Sequence, residues 1–348
     1  MLSDRIEAKW IDAFCEIFER CAVKRGDTAA ILSETQSRAL NVHIAELALL
    51  RMGAKPFHII VPTPRNTQIV PVRSTGASEA IQRLAPVVSA LQQAGFVVDC
   101  TIEGLMHAVE TPEILKAGAR ILVISNEHPE ALERMRPDAA LEKRVRAAAK
   151  MLRGTKRMRV TSKAGTDLDV NMEGASTVGV WGWTDKPGTL AHWPGGIVVS
   201  FPKSKTVNGT LVMAAGDVNL TFKRYLSSPV RMTLTDDYVT ELQGEGTDAE
   251  LMRRYLAAWG DREAYAVSHV GFGMNPAARY ESLAMYDQRD TNGTELRAVA
   301  GNFLFSTGAN EFAGRYTAGH FDLPMMRTTI ELDGVAVVRE GALQDVFG

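Results

Sequence analysis

The sequence predicts an α/β first half with a mostly parallel sheet and an α+β second half with a largely antiparallel sheet. In the first half, short apolar runs alternate with amphipathic helical stretches, which is typical of a parallel sheet covered by helices. After Gly154, short alternating stretches are separated by turn residues, which indicates antiparallel hairpins. This change predicts two domains, residues 1–155 and 156–348, the first helping to cover a site carried by the second.

Strand and helix alternate through the first half. Apolar positions from Ile6 to Cys21 recur every three or four residues and Gly26 follows as a stop, so this stretch is an amphipathic helix. The next predicted elements are strand 28–33, helix 40–51, strand 56–62, helix 78–94, strand 96–100, helix 105–116, strand 120–125 and helix 129–152. The sequence has no Gly-x-Gly-x-x-Gly turn after the first strand and no Walker-type Gly-Lys-Ser/Thr, so nothing indicates a dinucleotide or nucleoside triphosphate site.

The second half reads mostly as hairpins. Residues 157–172 are two alternating stretches around a central turn, and strand candidates follow at GIVVSF, TLVMAAG, VNLTF and VRMTL. A helix is predicted over residues 248–259. Near the end, the Asp333-Gly334 pair inside TTIELDGVAVV suits a type I′ hairpin turn.

Composition and charge limit the kinds of partner. The 348 residues are 45% hydrophobic and 23% charged, the profile of a folded soluble protein. The net charge of −2 and pI of about 6.4 show no basic excess, so we expect a small-molecule substrate and no nucleic acid.

The three cysteines, Cys15, Cys21 and Cys100, are too few for a disulfide framework or a four-thiolate zinc site, which fits a reducing, cytoplasmic setting. Charges near the N-terminus, and the lack of an apolar run of roughly 18 residues, predict neither export nor a membrane span.

The histidines differ in how much their surroundings explain. His43 in a helix, His58 in a strand and His128 at a strand-to-helix turn are each accounted for by a structural role. His269 ends an apolar strand and precedes a glycine-rich turn with Asn275-Pro276, the kind of place where sites are assembled.

His320 and Asp322 lie two residues apart in GHFDLPM. On an extended segment, residues i and i+2 point to the same face, so the imidazole and the carboxylate project side by side. With His269 they form a two-histidine, one-carboxylate set, which is typical of non-haem Fe(II) oxygenases. The same set also holds catalytic zinc, so spacing alone leaves both metals open.

Four segments of the second half match a known order of metal-binding segments: WPGGIVVSFP, SHVGFGMNP, YDQRDTNGTELRAVAG and GHFDLPM. Over about residues 190–325 the chain resembles the metalloaminopeptidases of the aminopeptidase T type, which implies an aminopeptidase T-like fold. Their two-metal pattern is incomplete here. Ile197, His269 and Gln288 stand where the peptidases have glutamates, and Leu296 stands where they have a histidine. The loss of bridging carboxylates favours a single iron over paired zinc.

Over essentially its whole length the chain resembles the 2,5-dihydroxypyridine 5,6-dioxygenases of bacterial nicotinate and nicotine degradation, including the segment ILSETQSRALNVHIAELALLRMGAKPFHIIVPTP. The resemblance implies one Fe(II) per subunit on His269, His320 and Asp322. It also implies that O2 cleaves the C5–C6 bond of 2,5-dihydroxypyridine to give N-formylmaleamate. Because the peptidase relatives assemble as oligomers, a homo-oligomer is expected.

The implied reaction needs a base near the iron to remove the substrate's hydroxyl proton. His107 and His192 are the two candidates, and either could instead contact the ring nitrogen or 2-oxygen. An exposed helix histidine for His107 and a loop histidine for His192 are the structural alternatives. Arg297 and Ser306 are candidates for polar contacts to the ring.

Two other functions stay open. One is an aminopeptidase-type metallohydrolase with a single ion, against which stand Ile197, Gln288 and Leu296. The other is a noncatalytic metal-binding or scaffold protein, for which the sequence offers no positive feature.

Overall fold

The structure, a computed structural model, describes residues 5–65, 78–288 and 291–347. In the first half, strands and helices alternate as the sequence predicts. The elements are α1 (Ala8–Arg20), β1 (Thr28–Glu34), α2 (Ala39–Arg51), β2 (Lys55–Val61), α3 (Ala85–Gln93), β3 (Phe96–Asp99), α4 (Thr111–Lys116), β4 (Arg120–Val123), α5 (Pro129–Arg134) and α6 (Ala139–Gly154).

A parallel sheet organises this half. Its strand order is β2-β1-β3-β4-β8, where β8 is Leu190–His192, and each neighbouring pair is parallel. Every residue of β3 and β4 is buried, as expected for strands covered by helices on both faces. Because all the strands run the same way, the loops after their carboxyl ends meet at one edge of the sheet.

Proline changes three of the predicted helices. α3 and α4 begin later than predicted because Pro86 and Pro112 occupy their first turns. The predicted helix 129–152 is divided into α5 and α6, since the residue before Pro137 is disfavoured in a helix and Asp138 caps the start of α6.

The second half consists of hairpins interrupted by short helices. Its elements are β5 (Arg157–Ser162), β6 (Asp167–Asn171), β7 (Ser176–Val180), β8, β9 (Ile197–Phe201), β10 (Val207–Met213), β11 (Val218–Asn219), β12 (Arg224–Tyr225), β13 (Val230–Thr235), β14 (Tyr238–Gln243), α7 (Gly246–Ala258), β15 (Val267–Gly273), α8 (Ser282–Met285), α9 (Thr294–Ala298), β16 (Phe303–Asn310), β17 (Arg315–Met325), β18 (Thr328–Leu332), β19 (Val335–Arg339) and β20 (Ala342–Leu343).

These strands form antiparallel sheets, which confirms the predicted fold class. One sheet has the order β14-β13-β10-β6-β5-β18-β19-β20, and a second, here called the ligand sheet, has the order β17-β16-β15-β9-β7. The β18–β19 turn confirms the type I′ prediction, since Asp333 and Gly334 have φ values of 48° and 84°. The main apolar core lies between these two sheets.

Two segments pack across the predicted boundary at residue 155. α6 precedes it, yet Val145 and Ala149 of α6 lie against Gly179 in β7 of the ligand sheet. β8 follows it, yet β8 pairs with β4 in the parallel sheet. The division into 1–155 and 156–348 therefore stays a prediction. None of the helices in the described ranges is long and apolar enough to span a bilayer.

Candidate metal centre

The two faces of the ligand sheet have different roles. On β17, Phe321 and Leu323 point into the main core, so the residues that alternate with them must point the other way. His320 and Asp322 are two of those residues, and both are buried. The strand therefore presents the imidazole and the carboxylate side by side, as the sequence predicts.

A β-bulge places His269 on the same side. Val267 pairs with Thr307 and Val270 pairs with Phe305, so two residues of β15 stand opposite one residue of β16. Val267 and Val270 both lie in the main core, which strict alternation would not allow. The bulge turns the intervening His269 away from the core, a common use of bulges beside active sites.

The three side chains form one compact cluster. Their ligand atoms all lie within 4.8 Å of one another. Asp322 Oδ1 is 3.4 Å from His269 Nε2, and Asp322 Oδ2 is 3.3 Å from His320 Nε2. Among the described residues, Asp322 Oδ1 is buried without a hydrogen-bond partner, as expected for an atom that binds a metal.

The protonation states suit metal binding. Burial lowers the pKa of His269 to about 3, against the opposing effect of Asp322, so the ring is neutral near pH 7 and keeps a lone pair. Burial alone would raise the pKa of Asp322, but Arg297, His320 and His269 outweigh it and hold the pKa well below its usual range. The carboxylate is therefore ionised.

Arg297 on α9 contacts the carboxylate directly. Its Nε and Nη2 atoms lie 2.7 and 2.6 Å from Asp322 Oδ2. α9 is in turn tied to the first half, because Glu127 accepts from the Thr294 N–H at 2.7 Å and Arg134 pairs with Glu295 at 2.5 Å. The structure thus places Arg297 against a candidate metal ligand, and its predicted contact with the substrate stays a prediction.

His107 reaches the cluster from the loop after β3. Its ring centroid is 5.4 Å from that of His320, and its Nδ1 is 3.8 Å from Oε1 of Glu311 in the turn after β16. His107 is therefore at the site, and the alternative of an exposed helix histidine is wrong, because the helix begins after it, at Thr111.

The buried Asp99 holds that loop. Its Oδ1 accepts hydrogen bonds from Thr101 N at 2.9 Å and Thr101 Oγ1 at 2.6 Å, and its Oδ2 accepts from Leu105 N at 2.7 Å. Burial raises the pKa of Asp99 to about 6, although these hydrogen bonds oppose the shift. One side chain at a strand end thus fixes the path of the backbone toward His107.

His192 ends β8 at the carboxyl edge of the parallel sheet. Its Nδ1 lies 2.7 Å from the Pro194 carbonyl oxygen, which can only accept, so Nδ1 carries the hydrogen. Burial lowers the pKa of His192 to about 4 against this hydrogen bond, and Arg297 lowers it further. The ring is neutral near pH 7, which makes Nε2 a hydrogen-bond acceptor.

Ser306 and an aromatic pair complete the surroundings. Ser306 is fully buried directly opposite Asp322 on β16, and so lies on the same face of the sheet. The ring of Phe201 is 5.6 Å from that of His269 and 5.0 Å from that of Phe312. Phe201 ends the predicted strand GIVVSF, where its place on one face could have indicated it, whereas no sequence signal pointed to Phe312 or Glu311.

Three positions where the peptidases have metal ligands contribute no ligand to the cluster. Ile197 packs with Phe201 in an apolar cluster, Leu296 packs with Leu220, and the Gln288 amide donates to the Lys223 carbonyl. Within the described ranges, His269, His320 and Asp322 are the only group of three or more potential ligand residues close enough to share an ion.

The remaining histidines have the structural roles predicted for them. His128 caps α5 by accepting from the Glu130 N–H at 3.2 Å. His58 on β2 lies 3.4 Å from Glu46, and His43 is exposed on α2.

Comparisons with known proteins agree with this site. A family model described as 2,5-dihydroxypyridine 5,6-dioxygenase matches residues 9–345. A 2,5-dihydroxypyridine 5,6-dioxygenase of Pseudomonas putida is 33% identical over 338 residues, covering 96% of this chain and 95% of the relative. The solved 2,5-dihydroxypyridine dioxygenase of Pseudomonas putida KT2440 superposes with a TM-score of 0.91 at 32% identity, over 98% of this chain and 99% of that chain.

A more distant structure shares the fold alone. Wild-type AmpT from Thermus thermophilus superposes with a TM-score of 0.63 at 15% identity, over 96% of this chain and 99% of that one. This likeness supports the predicted aminopeptidase T-like fold. The family match and the 33% identical relative carry the assignment further, and they show that the chain belongs to the 2,5-dihydroxypyridine 5,6-dioxygenase family.

Proposed function

We propose that this ring-cleaving dioxygenase acts on 2,5-dihydroxypyridine and O2, with one Fe(II) per subunit bound by His269, His320 and Asp322. The observation that carries the proposal is the buried cluster of two imidazoles and one carboxylate in a chain of this family. The product is N-formylmaleamate, which contains both atoms of O2. We further propose that the enzyme works in the cytoplasm, in nicotinate or nicotine degradation, and as a homo-oligomer.

The donor set fits Fe(II). Two imidazole nitrogens and one carboxylate oxygen on one side of an ion leave positions open on the other side. Asp322 Oδ1 lacks a hydrogen-bond partner among the described residues, so the protein supplies an unused lone pair in this cluster. Bound there, Fe(II) supplies a Lewis acid for the substrate hydroxyl and a redox partner for O2.

His107 is the proposed base. It comes from the loop after β3, its ring lies 5.4 Å from that of His320, and its Nδ1 is 3.8 Å from Glu311 Oε1. Held in this way, His107 accepts the proton of the 5-hydroxyl at Nε2 while the Glu311 carboxylate stabilises the resulting imidazolium. Proton transfer from hydroxyl to imidazole makes the ring electron-rich for attack by O2.

His192 is proposed to recognise the ring edge. Because Nδ1 donates to Pro194, Nε2 can accept the ring N–H of the lactam form of the substrate. Arg297 and Ser306 are proposed to contact the 2-oxygen from α9 and β16. Phe201 and Phe312 provide an apolar wall against which a flat ring packs.

The decisive test is O2 consumption. Protein purified without oxygen and loaded with Fe(II) should consume one O2 per 2,5-dihydroxypyridine, measured with an oxygen electrode. H269A should contain no iron and consume no O2, whereas H43A, which changes an exposed helix histidine, should match the wild type. Full activity in H269A would remove the ligand assignment. Failure of the iron-loaded wild type to consume O2, together with peptide cleavage in the presence of zinc, would favour the aminopeptidase alternative.

A further inference from the structure

The strand that carries two of the proposed ligands is at the edge of its sheet. Among the described strands, β17 pairs with β16 alone. Along its other side, the peptide groups of alternate residues point outward, and no described strand pairs with them. In most edge strands such groups bond to water, and the strand end is correspondingly loose.

At His320 the missing strand is replaced by one hydroxyl. Tyr255 on α7 donates its hydroxyl hydrogen to the His320 carbonyl oxygen at 2.6 Å, and its oxygen accepts from the His320 N–H at 3.3 Å. Tyr255 is 2% exposed, and its ring lies 4.3 Å from that of Phe321. The same residue thus satisfies both outward groups of His320 and packs on the next residue.

The outward carbonyl of Asp322 has its own partner. It accepts from the N–H of Leu220, the residue after β11, at 3.4 Å. This contact is longer than both hydrogen bonds between Tyr255 and His320, which measure 2.6 and 3.3 Å. Both proposed ligands of β17 are therefore held by their backbones from outside the sheet while their side chains face the cluster. Tyr255 supplies the shorter of the two carbonyl contacts.

We propose that Tyr255 is a positioning residue for the metal centre, which fixes the backbone of His320 so that its imidazole meets His269 and Asp322 at ligand spacing. This inference rests on the proposed metal site. Without the hydroxyl, the N–H and carbonyl of His320 lose their partners and the edge strand relaxes around one ligand. Small displacements of a ligand weaken metal binding, and removing groups that orient ligands typically costs about 10- to 100-fold in affinity.

A matched control exists elsewhere in the chain. Thr166 Oγ1 donates to the Val212 carbonyl at 3.1 Å and accepts from the Val212 N–H at 2.9 Å. It is a buried hydroxyl bonded to both backbone groups of one residue, as in Tyr255, but it lies just before β6 and contacts β10 of the eight-stranded sheet. T166V therefore removes the same kind of hydrogen bonds without touching the ligand strand.

The test is a Co(II) titration of metal-free protein, followed by the visible absorption of the bound ion. Y255F should bind Co(II) about tenfold more weakly than the wild type, and T166V should stay within twofold, with thermal unfolding of the metal-free proteins measured for both. Replacing Tyr255 with 4-aminophenylalanine, which restores a donor, should recover most of the affinity.

The outcomes separate the two proposals. Wild-type affinity in a folded Y255F whose unfolding temperature falls as in T166V would show a purely structural role and overturn the inference. If Y255F does not fold, the 4-aminophenylalanine protein decides the question. Weak Co(II) binding by that protein in its folded state would contradict the positioning role of Tyr255. If the wild type itself binds no Co(II), the metal site is wrong and both proposals fail.

Discussion

The ligand sheet and the parallel sheet contribute to the site in different ways. His269, His320 and Asp322 lie on paired strands, and their backbones are fixed by neighbouring strands, a bulge and Tyr255. His107 lies in a loop and His192 at a strand end, both at the carboxyl edge of the parallel sheet. Open α/β sheets commonly place ligand-contacting groups at this edge. The difference teaches that paired strands set the spacing of the proposed ligands, while the edge of the other sheet supplies the groups that we propose bind the substrate and accept its proton.

The largest effect is expected on the ligand sheet. H320A should lose iron and lower kcat by more than roughly a thousandfold, because a chelating set reduced to His269 and Asp322 holds the ion weakly. Iron content by elemental analysis and O2 uptake check this, with H58A as a control on the edge strand β2. An active H320A with normal iron content would show that His320 is not a ligand, and the ligand sheet would then not set the metal geometry.

A smaller effect of a different kind is expected at the parallel-sheet edge. H107A should keep its iron but lower kcat by about 10²–10⁴-fold, the usual contribution of a positioned base. Iron content and kcat measured on the same preparation separate this outcome from ligand loss. An iron-free H107A would mean that the loop supplies a ligand, and the division of labour between the sheets would be wrong.

The smallest effect concerns the stability of the loop behind His107. Since burial raises the folded pKa of Asp99 to about 6, above its ordinary 3.8, the folded state binds the proton more tightly than the unfolded chain does. Stability from this group is therefore present below about pH 4 and is lost as the pH rises to about 6, on the order of 3 kcal/mol.

Urea unfolding of the wild type and D99N at pH 4 and pH 7 measures this contribution. The gap in unfolding free energy between the two proteins should shrink with rising pH, because asparagine does not titrate. A gap independent of pH would show that Asp99 ionises in the folded loop as it does in water. Co(II) affinity should be the same in both proteins, since the Asp99 side chain hydrogen-bonds to Thr101 and Leu105 of the loop and to no proposed ligand.

Much of the fold followed from local pattern. Alternation of apolar runs predicted the parallel sheet, and the Asp333-Gly334 pair predicted its turn correctly because both residues tolerate positive φ. The predicted starts of two helices were too early, because the apolar period continued upstream of Pro86 and Pro112, which lie in the first turns of the actual helices. Apolar periodicity reports which face is buried, and it does not report where the backbone can begin a helix.

Local pattern also predicted part of the site. The two-residue spacing of His320 and Asp322 fixes their common face on any strand, so their proximity could be read directly. His269 joins them only through the bulge in β15, which depends on pairing with β16. Contacts made across the chain, such as Arg297 with Asp322 and Tyr255 with His320, leave no periodic trace in the sequence.

The position of β8 has a mechanical consequence. The chain leaves the parallel sheet after α6, returns from the ligand sheet to form β8, and leaves again for β9. The two halves are thus joined by three chain crossings. A protease cut in one crossing leaves the other two intact, and any hinge motion between the halves must bend all three. His192 is the last residue of β8, and only residues 193–196 separate it from β9, so a movement of either sheet would displace it.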